Sequence, residues 1–228
     1  MEEKFRANLA EVNQRIAEAA QRSGRTESDV KLVAVTKYVD AATTKQLHSA
    51  GAKCLGENRP QVLEEKANEL SGLDVEWHMI GNLQRNKVKR TLAHATVIHA
   101  LDRDSLVTAV AKEATAQDRT VRCLLEVNVS GEESKHGYSP DEVAAVIERI
   151  ITLPSIKLEG LMCMAGLVGD DDDARREFAM LREIRNTHAD VRTDNVNLKD
   201  LSMGMSSDFE IAIEEGATIV RVGSALYR

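Results

Sequence analysis

Residues 196–227 read VNLKDLSMGMSSDFEIAIEEGATIVRVGSALY. The stretch opens on a β-rich run, VNLKDLSMG, and closes on another, TIVRVGSALY. Between them, SDFEIAIEEGA reads as a helix. Its Ser and Asp are N-cap types, whose oxygens accept the unpaired N–H groups of a first turn, and it closes before Gly216. Strand, helix and strand in direct succession form the unit of a parallel sheet. The same alternation runs back through the chain. β-Rich runs stand at KLVAVTK, CLGEN, EWHMIG, TVIHAL, VRCLLEVNV and IKLEGLMCMA. Helix-like stretches such as PQVLEEKANELSG, DSLVTAVAKEATAQ, PDEVAAVIERIITL and DARREFAMLREIRNTH separate them.

Eight strand candidates in 228 residues predict an α/β fold, a closed (β/α)8 barrel of the TIM type. A doubly wound open sheet is the alternative, because periodicity does not decide closure. Ahead of the first strand, Phe5, Leu9, Val12 and Ile16 recur at helix spacing. They predict an extra N-terminal helix that stops at Gly24. No Pro/Gly/Ser-rich linker, composition shift or low-complexity tract interrupts the chain, so residues 1–228 read as one domain.

Composition narrows the function. Hydrophobic residues make up 43% and charged residues 29%, the balance of an ordinary globular chain. Aromatic residues are only 3% and the formal net charge is −7, which argues against nucleic acid as a partner. The basic run QRNKVKR at 84–90 reads as a solvated helix face. The acidic run GDDDDARREF at 169–178 reads as a helix N-terminus, where the dipole favours carboxylates, and not as a metal site. Cys54, Cys123 and Cys163 are odd in number and far apart, a pattern of neither disulfides nor zinc that suits a reducing cytosol. The start, MEEKFRANLAEVNQRIAEAA, has no apolar core of a signal peptide, and no apolar run reaches the roughly 18 residues of a membrane span. A cytoplasmic monomer is the expectation.

In a barrel of this class the chemistry sits at the C-terminal ends of the strands. The first strand delivers Lys37 there, an amine at the end of an apolar run. Glu57 and Asn58 end the second strand, His78 lies in the third with Asn82 after it, and Asn128 ends the fifth. Ser206 and Ser207 follow the seventh strand, and Gly223 and Ser224 end the eighth. Loops after strands seven and eight, with a helix N-terminus, are a common phosphate cradle, and small residues let N–H groups approach an anion. Arg221 stays charged inside an apolar strand and needs a partner. An ion pair with a barrel carboxylate such as Glu126 is one reading, and a ligand ring nitrogen or anion is the other. An amine nucleophile, a phosphate cradle and a fixed cation suit two ligands: a phosphorylated sugar in a Schiff-base aldolase, or pyridoxal phosphate.

Five stretches in order carry a resemblance: VAVTKYV, GENRPQ, WHMIGNLQRNK, LLEVNVSGEESKHG and LSMGMSSDFEIAIEEGATIVRVGSALY. They resemble the pyridoxal-phosphate-binding family related to the alanine racemase barrel, often called pyridoxal phosphate homeostasis proteins. The resemblance implies a barrel that carries pyridoxal phosphate, with Lys37 as the Schiff-base lysine. It implies that Ser206, Ser207, Gly223 and Ser224 lie on phosphate-binding segments, that Arg221 faces the pyridine nitrogen, and that Asn58 and His78 stand on cofactor-facing strands. MCMAG at 162–166 departs from an expected proline-containing turn, and the ending LYR departs from a common Phe-Gly.

Racemisation needs a second acid/base group opposite the lysine, which the racemases take from a further domain absent after strand eight here. The chain's tyrosines are Tyr38, Tyr138 and Tyr227. Tyr38, as the neighbour of Lys37, is expected on the opposite face. The expected function is therefore vitamin B6 homeostasis, in which the cofactor is held and supplied to apo-enzymes, with no catalytic residue assigned. An amino-acid racemase or other Schiff-base enzyme is the alternative.

Overall fold

The computed structural model describes residues 2–132, 135–166 and 169–228; Glu133 and Ser134 of the LLEVNVSGEESKHG motif lie outside them. Eight parallel strands close on themselves in sequence order, which removes the open-sheet alternative. They are β1 (Lys31–Val35), β2 (Cys54–Glu57), β3 (Glu76–Met79), β4 (Val97–Leu101), β5 (Val121–Glu126), β6 (Ile156–Met162), β7 (Val196–Ser202) and β8 (Ile219–Val222). Closure is made by β1 against β8, where Leu32 sits opposite Val220 and Val33 opposite Arg221.

Side chains alternate across each strand, and this sorts them into two layers. In β8, Val220 and Val222 face outward into the large apolar layer beneath the helices, while Ile219 and Arg221 face the barrel axis. The inner layer is small: Val33, Cys54, Val97, Ala100, Leu124, Met162 and Ile219. Polar groups take much of the remaining axial space, and they define the site described below.

The helices are α1 (Glu2–Arg22), α2 (Ala41–Ser49), α3 (Pro60–Glu69), α4 (Val88–Leu92), α5 (Asp104–Ala116), α6 (Val143–Ile151), α7 (Asp171–Thr187) and α8 (Phe209–Glu214). The extra helix α1 buries Phe5, Leu9, Val12 and Ile16 on one face, as their spacing predicts. It supports the short α8: Arg15 pairs with Glu210 at 2.9 Å and stacks 4.7 Å from the Phe209 ring centre, and Arg22 pairs with Glu214 at 2.7 Å. The acidic run is a helix start. The Asp170 side chain caps the Asp173 N–H at 3.0 Å, and Asp171–Asp173 form the first turn of α7. The basic run is a single turn followed by α4, whose Arg90 pairs with Glu64 of α3 at 2.8 Å. Among the described residues, no helix is long and apolar enough to cross a membrane.

Candidate functional site

A cavity of about 690 Å3 opens at the C-terminal ends of the strands. Lys37, Asn58, Ser206, Ser207, Arg221, Gly223 and Ser224 all line it, so seven of the eight residues that the resemblance assigns to the cofactor meet in one place. His78 is the exception: it lies below the cavity, almost fully buried inside the barrel.

Lys37 stands two residues past the end of β1 and is half-buried. Its Nζ lies 5.0 Å from the Tyr38 ring centre, and among the described residues it has no carboxylate partner. The nucleophilic form of lysine is the unprotonated amine, and no salt bridge has to break for Lys37 to supply it. The expectation that Tyr38 faces away fails because strand alternation ends with β1 at Val35; both residues lie in the turn and both line the cavity.

The backbone that carries Lys37 is clamped from beneath. The Thr36 N–H donates to the Gly56 carbonyl at 3.0 Å, and the Thr36 hydroxyl donates to Glu57 Oε1 at 2.5 Å. Lys66 Nζ, from α3, donates to the Thr36 carbonyl at 2.7 Å and to Glu57 Oε1 at 2.6 Å. The Tyr227 hydroxyl donates to the Val35 carbonyl at 3.1 Å. Glu57 therefore turns away from the cavity into a fully buried ion pair. Lys66 escaped the sequence reading. Its signal is a cation within the buried stripe Pro60, Leu63, Lys66 and Ala67 of α3.

Across the mouth, the loops after β7 and β8 meet. The Gly223 N–H donates to the Ser206 hydroxyl at 3.0 Å, which joins the two loops. Among the described residues, the N–H groups of Ser206, Ser207 and Ser224 have no protein acceptor. Unpaired donors on adjoining small residues form a concavity suited to an anion. The helix contribution is smaller than the sequence suggests, because α8 begins at Phe209 and has only six residues. Gly204 shapes the first loop: its φ is +91°, and a Cβ there would lie 2.6 Å from Ala212 Cβ and 2.9 Å from Phe209 Cα. Gly81 lets the loop after β3 pass over Asn58, whose carbonyl would lie 2.5 Å from an added Cβ.

Arg221 forms the floor. It is almost fully buried and donates to Ser202 Oγ at 2.6 Å and to the Cys163 carbonyl at 2.9 Å. Among the described residues no carboxylate pairs with it, so the ion pair with Glu126 is not formed. From Ser202 a hydrogen-bonded chain descends the barrel axis. Ser202 Oγ lies 2.9 Å from His99 Nδ1, His99 Nε2 lies 2.6 Å from His78 Nδ1, and His78 Nε2 lies 3.0 Å from Cys54 Sγ and 3.4 Å from Glu76 Oε1. A guanidinium only donates, which frees the Ser202 proton for His99 and orders the remaining protons towards Glu76. Burial lowers the pKa of both histidines and keeps them neutral. Cys54, Glu76 and His78 bring ligand-type atoms within 4.8 Å of one another, but Lys31 at 2.8 Å and Arg122 at 3.0 Å already hold the carboxylate. The group reads as the base of this chain rather than as a metal centre.

The remaining sequence candidates divide. Asn82 lines the cavity and donates to Asp102 Oδ2 at 3.3 Å. Asn128 organises its own loop, accepting from the Ser130 hydroxyl and the Gly131 N–H at 3.1 Å each. Tyr138 is buried and donates to Asp104 Oδ1 at 3.0 Å, away from the cavity. Glu126, read earlier only as a partner for Arg221, lines the cavity from β5. Burial, with the Asp102 charge adding to it, pushes its pKa up to about 7.

Known proteins share this fold. Residues 7–228 match the family model described as alanine racemase, N-terminal domain. A pyridoxal phosphate homeostasis protein of Aquifex aeolicus is 42% identical over 219 residues, covering 96% of this chain and 95% of the relative. The crystal structure of an unknown protein from Bifidobacterium adolescentis superposes with a TM-score of 0.93 at 36% identity, over 99% of this chain and 95% of that one. PipY of Synechococcus elongatus, solved with PLP bound, gives a TM-score of 0.80 at 32% identity, over 93% of this chain and 100% of its own. With the family model, the barrel fold and near-full-length identity in agreement, the chain belongs to the family of the pyridoxal phosphate homeostasis proteins, built on the alanine racemase N-terminal fold.

Proposed function

We propose that this protein binds pyridoxal 5′-phosphate and serves vitamin B6 homeostasis, holding the cofactor covalently through the Lys37 amine and supplying or buffering it. The observation that carries this reading is a lysine without a carboxylate partner facing unpaired N–H donors across one cavity. The residues present fit the group. The hydroxyls of Ser206 and Ser207 and the N–H groups of Ser206, Ser207 and Ser224 suit the phosphate dianion. Gly223 leaves the approach to this cradle open, with nothing closer to an added Cβ than 3.4 Å. Arg221 would donate to the pyridine nitrogen and favour its unprotonated form. His78 acts on Arg221 from below through His99 and Ser202, and Asn58 walls the side of the cavity. Bound, the cofactor supplies an aldehyde carbon to which amines add.

A carrier fits better than a racemase. Of the three tyrosines, Tyr38 is 88% exposed, Tyr138 is held by Asp104 and Tyr227 is held by the Val35 carbonyl. None is placed as an acid/base group opposite Lys37. Apo-enzymes that use the cofactor are the proposed recipients. A monomer is the proposed state: among the described residues only Tyr38, Ile151, Met164 and Met180 are exposed large apolar side chains. Three buried free cysteines suit the cytoplasm.

Titration of the apo-protein with pyridoxal phosphate and with unphosphorylated pyridoxal tests the reading. Hydrogen bonds to a charged group are worth roughly 1.5–3 kcal/mol each, so the phosphorylated form should bind at least about tenfold more tightly. Ser206→Ala with Ser207→Ala should erase most of that preference. Equal affinity for the two forms would remove the cradle. Binding of phosphosugars with none of pyridoxal phosphate would instead favour an aldolase.

A further inference from the structure

A lysine-held cofactor must be released, and the wall opposite Lys37 offers a group for that step. In the closed order β1 to β8, β5 stands across the barrel from β1. Its last residue, Glu126, is 4% exposed and lines the same cavity as Lys37. Among the described residues no hydrogen bond or ion pair engages its carboxyl group, which lines the cavity. A carboxyl so deeply placed, unpaired and facing a cavity calls for a ligand group that donates protons. Arg221 supplies positive charge from β8, so the Glu126 side of the cavity is where a cationic group of a ligand is accepted.

We infer that Glu126 takes a proton from an incoming primary ammonium group, an amino acid's or a small alkylamine's, and thereby drives exchange of that amine for Lys37. The inference rests on the cofactor reading above. In the step, the ammonium gives one proton to the Glu126 carboxylate, and its nitrogen bonds to the carbon that Lys37 holds. The two remaining N–H protons pass to the Lys37 nitrogen as its own bond to that carbon breaks. The proton on Glu126 then completes the Lys37 ammonium and restores the carboxylate. No oxidant or further reactant is needed. The charged groups that bear on Glu126 are Asp102 and Arg103 after β4, Arg221 of β8, and Lys37 and His136 at the rim. Asp102 is itself held by Arg103.

The test is the rate at which ethylamine removes the cofactor's visible absorbance, measured from pH 6 to 9 beside release by dilution alone. Free amine grows about tenfold per pH unit in this range. With Glu126 as acceptor, the rate rises only until the carboxyl is ionised and then levels off above about pH 7. In E126Q the ratio of amine-driven to dilution-driven release should fall about tenfold at pH 8, and E126D should recover part of it. Infrared spectra of the apo-protein give a second readout: a protonated-carboxyl band that disappears through about pH 7 and is missing in E126Q. A wild-type rate that climbs tenfold per unit up to pH 9, or an E126Q ratio equal to wild type, overturns the inference. Wild-type protein that never takes up the cofactor would instead sink the cofactor reading.

Discussion

Lys66→Met is expected to cost the apo-protein about 3–5 kcal/mol, because it leaves Glu57 as an uncompensated buried charge. Both partners are almost fully buried, at 3% and 0% exposure, and they lie 2.6 Å apart. Glu57 Oε2 already lacks a hydrogen-bond partner, so no spare donor can replace the ammonium. The same change strips the Thr36 carbonyl of its donor and loosens the turn that aims Lys37. Urea unfolding measures the effect. The double variant Glu57→Gln with Lys66→Met removes both charges and should recover much of the loss. A single variant within about 1 kcal/mol of wild type would mean that the pair does not hold this corner of the barrel.

Gly204→Ala is the second large effect. The residue sits at φ +91°, and its new methyl would meet Ala212 Cβ at 2.6 Å and the Phe209 backbone at 2.9 Å. Left-handed strain of about 1–2 kcal/mol adds to overpacking of about 1–3 kcal/mol. The loop must shift, and it carries Ser206 and Ser207; its carbonyl also accepts the Arg221 N–H at 3.0 Å. Thermal unfolding should therefore fall together with affinity for the phosphorylated ligand. Affinity unchanged beside a large loss of stability would separate the loop's shape from binding.

Much of this architecture is legible in the sequence, for a local reason. Each βα unit announces itself by a short apolar run, a loop with capping residues and an amphipathic helix, and the order of eight such units leaves few topologies. Strand ends follow from the same pattern, which is why Lys37, Asn58, Ser206, Ser207, Arg221, Gly223 and Ser224 converge as expected. What escaped depends on direction and depth. His78 was placed on the right strand, but strand assignment does not say how far below the mouth a residue lies, and it belongs to the axial chain beneath Arg221. Lys66 and Glu57 are on separate elements, and only packing of α3 against the end of β1 joins them. Glu126 lies within a quoted motif, yet its unpaired state appears only once Arg221 is seen to choose Ser202 and the Cys163 carbonyl instead.

Borohydride reduction of the cofactor-loaded protein followed by peptide mass mapping tests most directly the proposal that Lys37 is the covalent anchor. The expected result is the cofactor's mass on the peptide that carries Lys37, loss of the yellow colour on reduction, and neither label nor colour in Lys37→Ala. A full load of cofactor with the label on another lysine, or with no label after reduction, would contradict it.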